Sequence, residues 1–162
     1  MTHMDFMFYT ASVFNQDLSS WNVTQVTDMK WMFNKATQFN GDISTWITSQ
    51  VTTMESMFNE AKLFDRSLKN WDVARVTNMN GMFNKAEKFN SDISTWMTSK
   101  VTTMESMFNN AKLFDRSLKN WNVARVTTMT WMFREAKAFN GDMSTWVSRE
   151  VVFARSHHFL IS

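Results

Sequence analysis

Fifteen of the 162 residues are methionine, enough thioether to hold copper or another soft metal if the sulfurs converge. Their spacing points elsewhere. Met29 and Met32 recur beside Phe33 at steps of 25 residues, the pattern of flexible thioethers packed against aromatic rings. Cysteine is absent, which excludes disulfides, thiolate metal sites and cysteine nucleophiles. The three histidines, His3, His157 and His158, lie at the two ends, so a Ser-His-Asp or metal constellation would have to be assembled from the termini. Catalysis gathers unlike groups at one place and would interrupt a repeated pattern, yet nearly every polar residue here has counterparts 25 or 50 positions away. No enzymatic activity, no metal and no cofactor are expected. The Asn40 and Asp42 columns lack the dense carboxylates of a calcium ladder. Thr27, Thr52, Thr77, Thr102 and Thr127 form an array of the kind flat ice-binding surfaces carry, but helix N-caps explain it more simply.

The elements that position these residues follow from the repeat. Trp21, Trp46, Trp71, Trp96, Trp121 and Trp146 stand 25 residues apart, and the other marked positions keep the same step. The units alternate in type: 46–70 nearly equals 96–120, while those starting at Trp21, Trp71 and Trp121 form the other kind. Val26, Met29, Met32, Phe33 and Ala36 trace one stripe of a short amphipathic helix, placed at about Thr27 to Ala36 and its equivalents. Thr52 with Glu55, and Thr102 with Glu105, have capping-box spacing. Asp42 to Trp46 and its copies read as one short strand per unit. Neither element can bury its apolar face alone, and stacking copies in parallel solves this. The expected fold is an α/β solenoid of about six and a half coils, with a parallel sheet on one side and short helices on the other. It forms a single repeat domain over 1–162, with full units at 21–45, 46–70, 71–95, 96–120 and 121–145 and partial ones at 1–20 and 146–162.

Such a solenoid leaves one face of its sheet open, and extended faces are where solenoids bind partners. The residues expected there are Asp42, Ser44, Lys69, Asp92, Ser94, Lys119, Asp142 and Ser144, with Arg66 and Arg116 at the edge. A protein or glycan is the expected partner. The tryptophan column has two readings: a bend at Ser44–Thr45 and Lys69–Asn70 makes it a core corner, the favoured case, whereas a straight strand exposes it as a ladder for stacking sugars. Trp31 and Trp131 replace Ser56, Gly81 and Ser106 and are noted as contact points or space fillers.

The ends differ. The segment VVFARSHHFLIS reads as a decayed C-terminal cap, which accounts for His157 and His158. Met4, Met7 and Phe8 begin the array in full repeat form. Residues 1–20 carry net −2 (Asp5 and Asp17, no Lys or Arg), and 96–162 carry net +4 (nine basic, five acidic). Ends of opposite sign favour head-to-tail contact, and a symmetric dimer through the apolar N-terminal coils is equally open; homo-oligomerisation through an end, with the N-terminal coil as the candidate surface, is expected. With 17 basic and 15 acidic residues the net charge is only +2, which argues against a nucleic-acid partner. No apolar run spans a membrane and no signal peptide is legible, so the chain as given reads as soluble, without membrane insertion.

The string W-N-V-T-x-V-T-x-M-x-x-M-F-x-x-A-x-x-F-N-x-D-I-S, covering roughly residues 4 to 152, resembles a repeat of unknown function common in bacterial surface lipoproteins and grouped with BspA-like leucine-rich repeats. That resemblance implies a leucine-rich-repeat-like solenoid, a cell-surface or secreted location, and adhesion or host-protein binding. The lipid-attachment cysteine of such lipoproteins is missing here.

Overall fold

The computed structural model describes residues 2–146. Within them the 25-residue units are stacked coils, but no helix is present, and strand geometry is confined to single bridging residues: His3, Asp28, Thr53, Asn78, Thr103 and Thr128, each parallel to the next. The α/β solenoid, leucine-rich-repeat-like, with a parallel sheet on one side and helices on the other, is therefore corrected. Each coil is a closed chain of turns.

The backbone hydrogen bonds show why. Over the segment expected to be helical, the N–H groups of Met29, Trp31, Phe33 and Lys35 leave the coil and donate to the carbonyls of Thr53, Glu55, Met57 and Asn59 in the next one, at 2.7–3.2 Å. The intervening N–H groups of Met32, Asn34 and Ala36 fold back three residues, onto Met29, Trp31 and Phe33. A helix would spend every N–H on its own fourth carbonyl back. Here alternate groups bind the neighbouring coil, and the chain reverses through left-handed backbone at two positions per coil, such as Trp31 (φ 60) and Lys35 (φ 61). That conformation costs a residue other than glycine about 1–2 kcal/mol. Glycine takes the first of these positions once, at Gly81 (φ 58). A ten-residue helix is marginal by itself, whereas coil-to-coil bonds satisfy the same groups and bring identical side chains into register.

The apolar spacing that imitates a helix comes from the turns. Both ends of a four-residue turn can point inward, so Met29 and Met32, Phe33 and Ala36, Ala36 and Phe39, and Ile43 and Trp46 are turn-end pairs, all buried. The stretch Asp42 to Trp46 is one of these corners and not a strand, closed by the Trp46 N–H on the Ile43 carbonyl at 3.2 Å. The bend at Ser44–Thr45 makes tryptophan a core residue. Trp46, Trp71, Trp96, Trp121 and Trp146 are buried, and each indole N–H donates to a carbonyl of the preceding coil at 2.9–3.1 Å.

The capping boxes are corrected as well. Thr52 caps no helix: its N–H and its hydroxyl both donate to the Thr27 carbonyl, at 2.8 and 3.1 Å, and Thr77, Thr102 and Thr127 repeat this from coil to coil.

Inside, like side chains stack on like. Phe83 lies 3.8 Å from Phe89 in its own coil and 5.6 and 5.7 Å from Phe58 and Phe108 in the coils on either side, with rings within 9° of parallel. The methionine columns at 29/32, 54/57, 79/82, 104/107 and 129/132 are buried, whereas Met7 on the first coil is exposed. Thr48 and Thr98 take positions held by Val73 and Val123 and stay satisfied by donating to the Asp72 and Asn122 carbonyls. The expected C-terminal cap lies outside the described residues.

Because Phe83 is fully buried within a continuous ring column, Phe83→Ala is expected to lower stability by about 3–5 kcal/mol in chemical denaturation. A loss below about 1 kcal/mol would mean that the columns do not hold the coils together.

Candidate functional site

Stacking at a fixed step turns each polar position into a row across the coils, and most rows are occupied by coil-to-coil bonding. Asn15, Asn40, Asp65, Asn90, Asp115 and Asn140 form one: each side-chain oxygen up to Asp115 accepts the backbone N–H of the residue 25 positions later, at 2.7–3.0 Å. Spacing had offered this column only as part of a weak calcium motif. Its role is a side-chain-to-backbone splice that fixes register. Among the described residues no three His, Asp or Glu side chains come together as a metal site.

The residues expected on an open sheet face do come together, but there is no sheet behind them. They form a band of turns. The carboxylates of Asp42, Asp92 and Asp142 accept the N–H groups of Ser44, Ser94 and Ser144 at 2.9, 3.0 and 2.8 Å, closing local Asx turns. In the alternate coils Ser67 and Ser117 do the same more weakly for Lys69 and Lys119, at 3.5 and 3.4 Å. This Asp/Ser column is thus a turn cap as well as a surface. Arg66 and Arg116 are anchored at the band's edge, each Nε donating to the carbonyl of Asn40 or Asn90 at 2.6 and 2.7 Å.

Alternation of the units gives the band its charge: acidic at Asp42, basic at Arg66 and Lys69, acidic at Asp92, basic at Arg116 and Lys119, acidic at Asp142. Lys119 Nζ stands 3.9 Å from the Asp142 carboxylate, with both side chains about half exposed, so the pair contributes at most about 1 kcal/mol. The band is a regular polar surface with little of its charge sequestered. The Asp42 carboxyl is held below its ordinary value of 3.8 by the Ser44 N–H and then the Ser44 hydroxyl, with Arg66 assisting. Asp92 is lowered by the Ser94 hydroxyl and N–H, with Lys69 and Arg116 assisting.

A carboxylate whose folded value is depressed stabilises the fold above its unfolded value, and that contribution is lost as pH falls through the folded one. Stability should therefore drop below about pH 4. The combined Asp42→Asn and Asp92→Asn variant is expected to lose stability less steeply over that window in acid titrations of the unfolding midpoint. An unchanged slope would remove these turns from the acid response.

The family model described as Mycoplasma protein of unknown function, DUF285, matches residues 1–90 and again 64–159. No curated protein and no solved structure matches. The two matches overlap and together span the stacked units from end to end, so the chain belongs to this Mycoplasma repeat family of unknown function.

Proposed function

We propose that the chain is a non-catalytic binding module that presents the mixed-charge band to a protein or glycan partner, in keeping with the resemblance to BspA-like surface repeats and their adhesion role. The observation that supports this is the contrast between polar columns. The Thr27 and Asn15 columns are committed to neighbouring coils, while Lys69 and Lys119 remain exposed at the same position 50 residues apart. An extended partner would meet the same charges at every second coil.

Changing Lys69 and Lys119 together to Ala removes two exposed cations without touching the core. Saturable binding to an immobilised partner is expected to weaken about tenfold. Binding that is indifferent to the change would move the site elsewhere.

A second reading rests on the first coil, where Phe6, Tyr9 and Val13 are exposed and Phe6 stacks on Trp31 at 5.8 Å. Copies associating through that aromatic surface would make the protein a self-assembling structural repeat. Sedimentation equilibrium separates the two, since a strictly monomeric profile at high concentration removes the second.

A further inference from the structure

Opposite charges pair between neighbouring coils at several places: Glu60 with Lys85 at 3.0 Å, Glu87 with Lys112 at 2.8 Å and Lys119 with Asp142 at 3.9 Å. One column breaks this habit. It runs Gln25, Gln50, Arg75, Lys100 and Arg125, followed in sequence by Glu150, which lies outside the described residues, and among the described residues it is the one place where three successive coils carry the same charge at the same position. All three cations are exposed and none is in an ion pair among the described residues. The Arg75 guanidinium donates to the Gln50 side chain at 2.6 Å, so it lies along the column. The carboxylate on the same turn, Asp72, is bonded to the Ala74 N–H.

The surface beside the cations is hollowed. A depression of about 320 Å³ is lined by Ser99, Lys100, Asn122, Ala124 and Arg125, and next to it one of about 420 Å³ includes Met97, which is 66% exposed. Asn122 uses its oxygen on the Ala124 N–H, which leaves its amide N–H groups to serve as donors alongside the Ser99 hydroxyl. The depression thus offers cations, donors and an apolar shoulder.

From this row we infer that the chain binds a linear acidic polysaccharide along Arg75, Lys100 and Arg125. Two residues beyond the row, the Thr77, Thr102 and Thr127 N–H groups bond the preceding coil at 2.8–2.9 Å, which sets a sheet-like step of about 4.8 Å between the backbone positions that carry the cations. An extended sugar chain advances by one ring over a similar distance and turns the same side to the protein at every second ring, so anionic groups on alternate rings stay in step with Arg75 and Arg125, two coils apart, while ring hydroxyls meet Ser99 and Asn122 and an apolar ring face meets Met97. An extended acidic peptide presents same-side groups about 6.7 Å apart and falls out of step. A nucleic-acid duplex calls for a broader basic face than one row provides. The anionic group is a carboxylate or a sulfate, and the row's chemistry serves either. This site goes beyond the mixed-charge band and does not depend on Lys69.

The test is calorimetric titration of the full chain with polygalacturonate and, separately, with dextran sulfate. Saturable, salt-sensitive binding is expected to at least one of them; the one that binds identifies the anion, and binding of both shows that the row accepts either anion on a sugar chain. The combined K100Q and R125Q variant is expected to lose about tenfold in affinity while keeping the buried-indole emission of the unaltered protein, and K88Q, an exposed cation outside the row, is expected to bind unchanged. Lack of binding to both polymers overturns the proposal, as does duplex DNA or polyglutamate binding as tightly, or K88Q losing as much as the row variant.

Discussion

Each coil is bonded to its neighbours through backbone groups that a helix would have kept for itself. The N–H groups of Met54, Ser56, Phe58 and Glu60 reach the carbonyls of Asn78, Asn80, Met82 and Asn84 on one side, and the Thr52 N–H reaches the Thr27 carbonyl on the other. Those contacts exist only when residues one repeat apart stand side by side. The 25-residue step is therefore a mechanical requirement: a single insertion within a coil would displace the hydrogen-bonding groups and every side-chain column together. Side-chain splices add to the constraint at Asn40, Asp65 and Asn90, and the indole N–H groups add to it from within.

Register has a local cost that the stack offsets. Two positions in each coil adopt left-handed backbone, and residues as bulky as Phe6, Trp31 and Trp131 occupy the first of them. Close approach imposes a second demand at Gly41 and Gly141, where a Cβ would collide with the carbonyl oxygens of Gln16 and Arg116. The compensation comes from repetition. Stacked aromatic pairs contribute about 0.5–1.5 kcal/mol each beyond their buried area, and the Phe33 and Phe39 columns supply such pairs within and between coils.

On the outside, the same register turns composition into pattern. A net charge of +2 conceals both a band that alternates in sign with the two kinds of coil and a short row that does not alternate. Charges held about one coil apart act as a set, and the field they make at the surface is decided by their sequence along the stack, not by their sum.

Much of this was legible from the residues alone. The repeat and its inward set (Val26, Met29, Met32, Phe33, Ala36) follow from a strict step and apolar identity, which hold whatever the backbone does between those residues. The burial of Trp46 could be narrowed to a bend at Ser44–Thr45. A reading of charge down each column would also have found Arg75, Lys100 and Arg125. What the tertiary structure decided was the path between inward residues. A spacing of three or four is produced equally by one face of a helix and by a succession of four-residue turns, so Met29, Met32, Phe33 and Ala36 do not discriminate between them. The outcome depends on where alternate N–H groups find carbonyls. Those partners sit in another coil, 24 residues away, and exist only once the stack has formed.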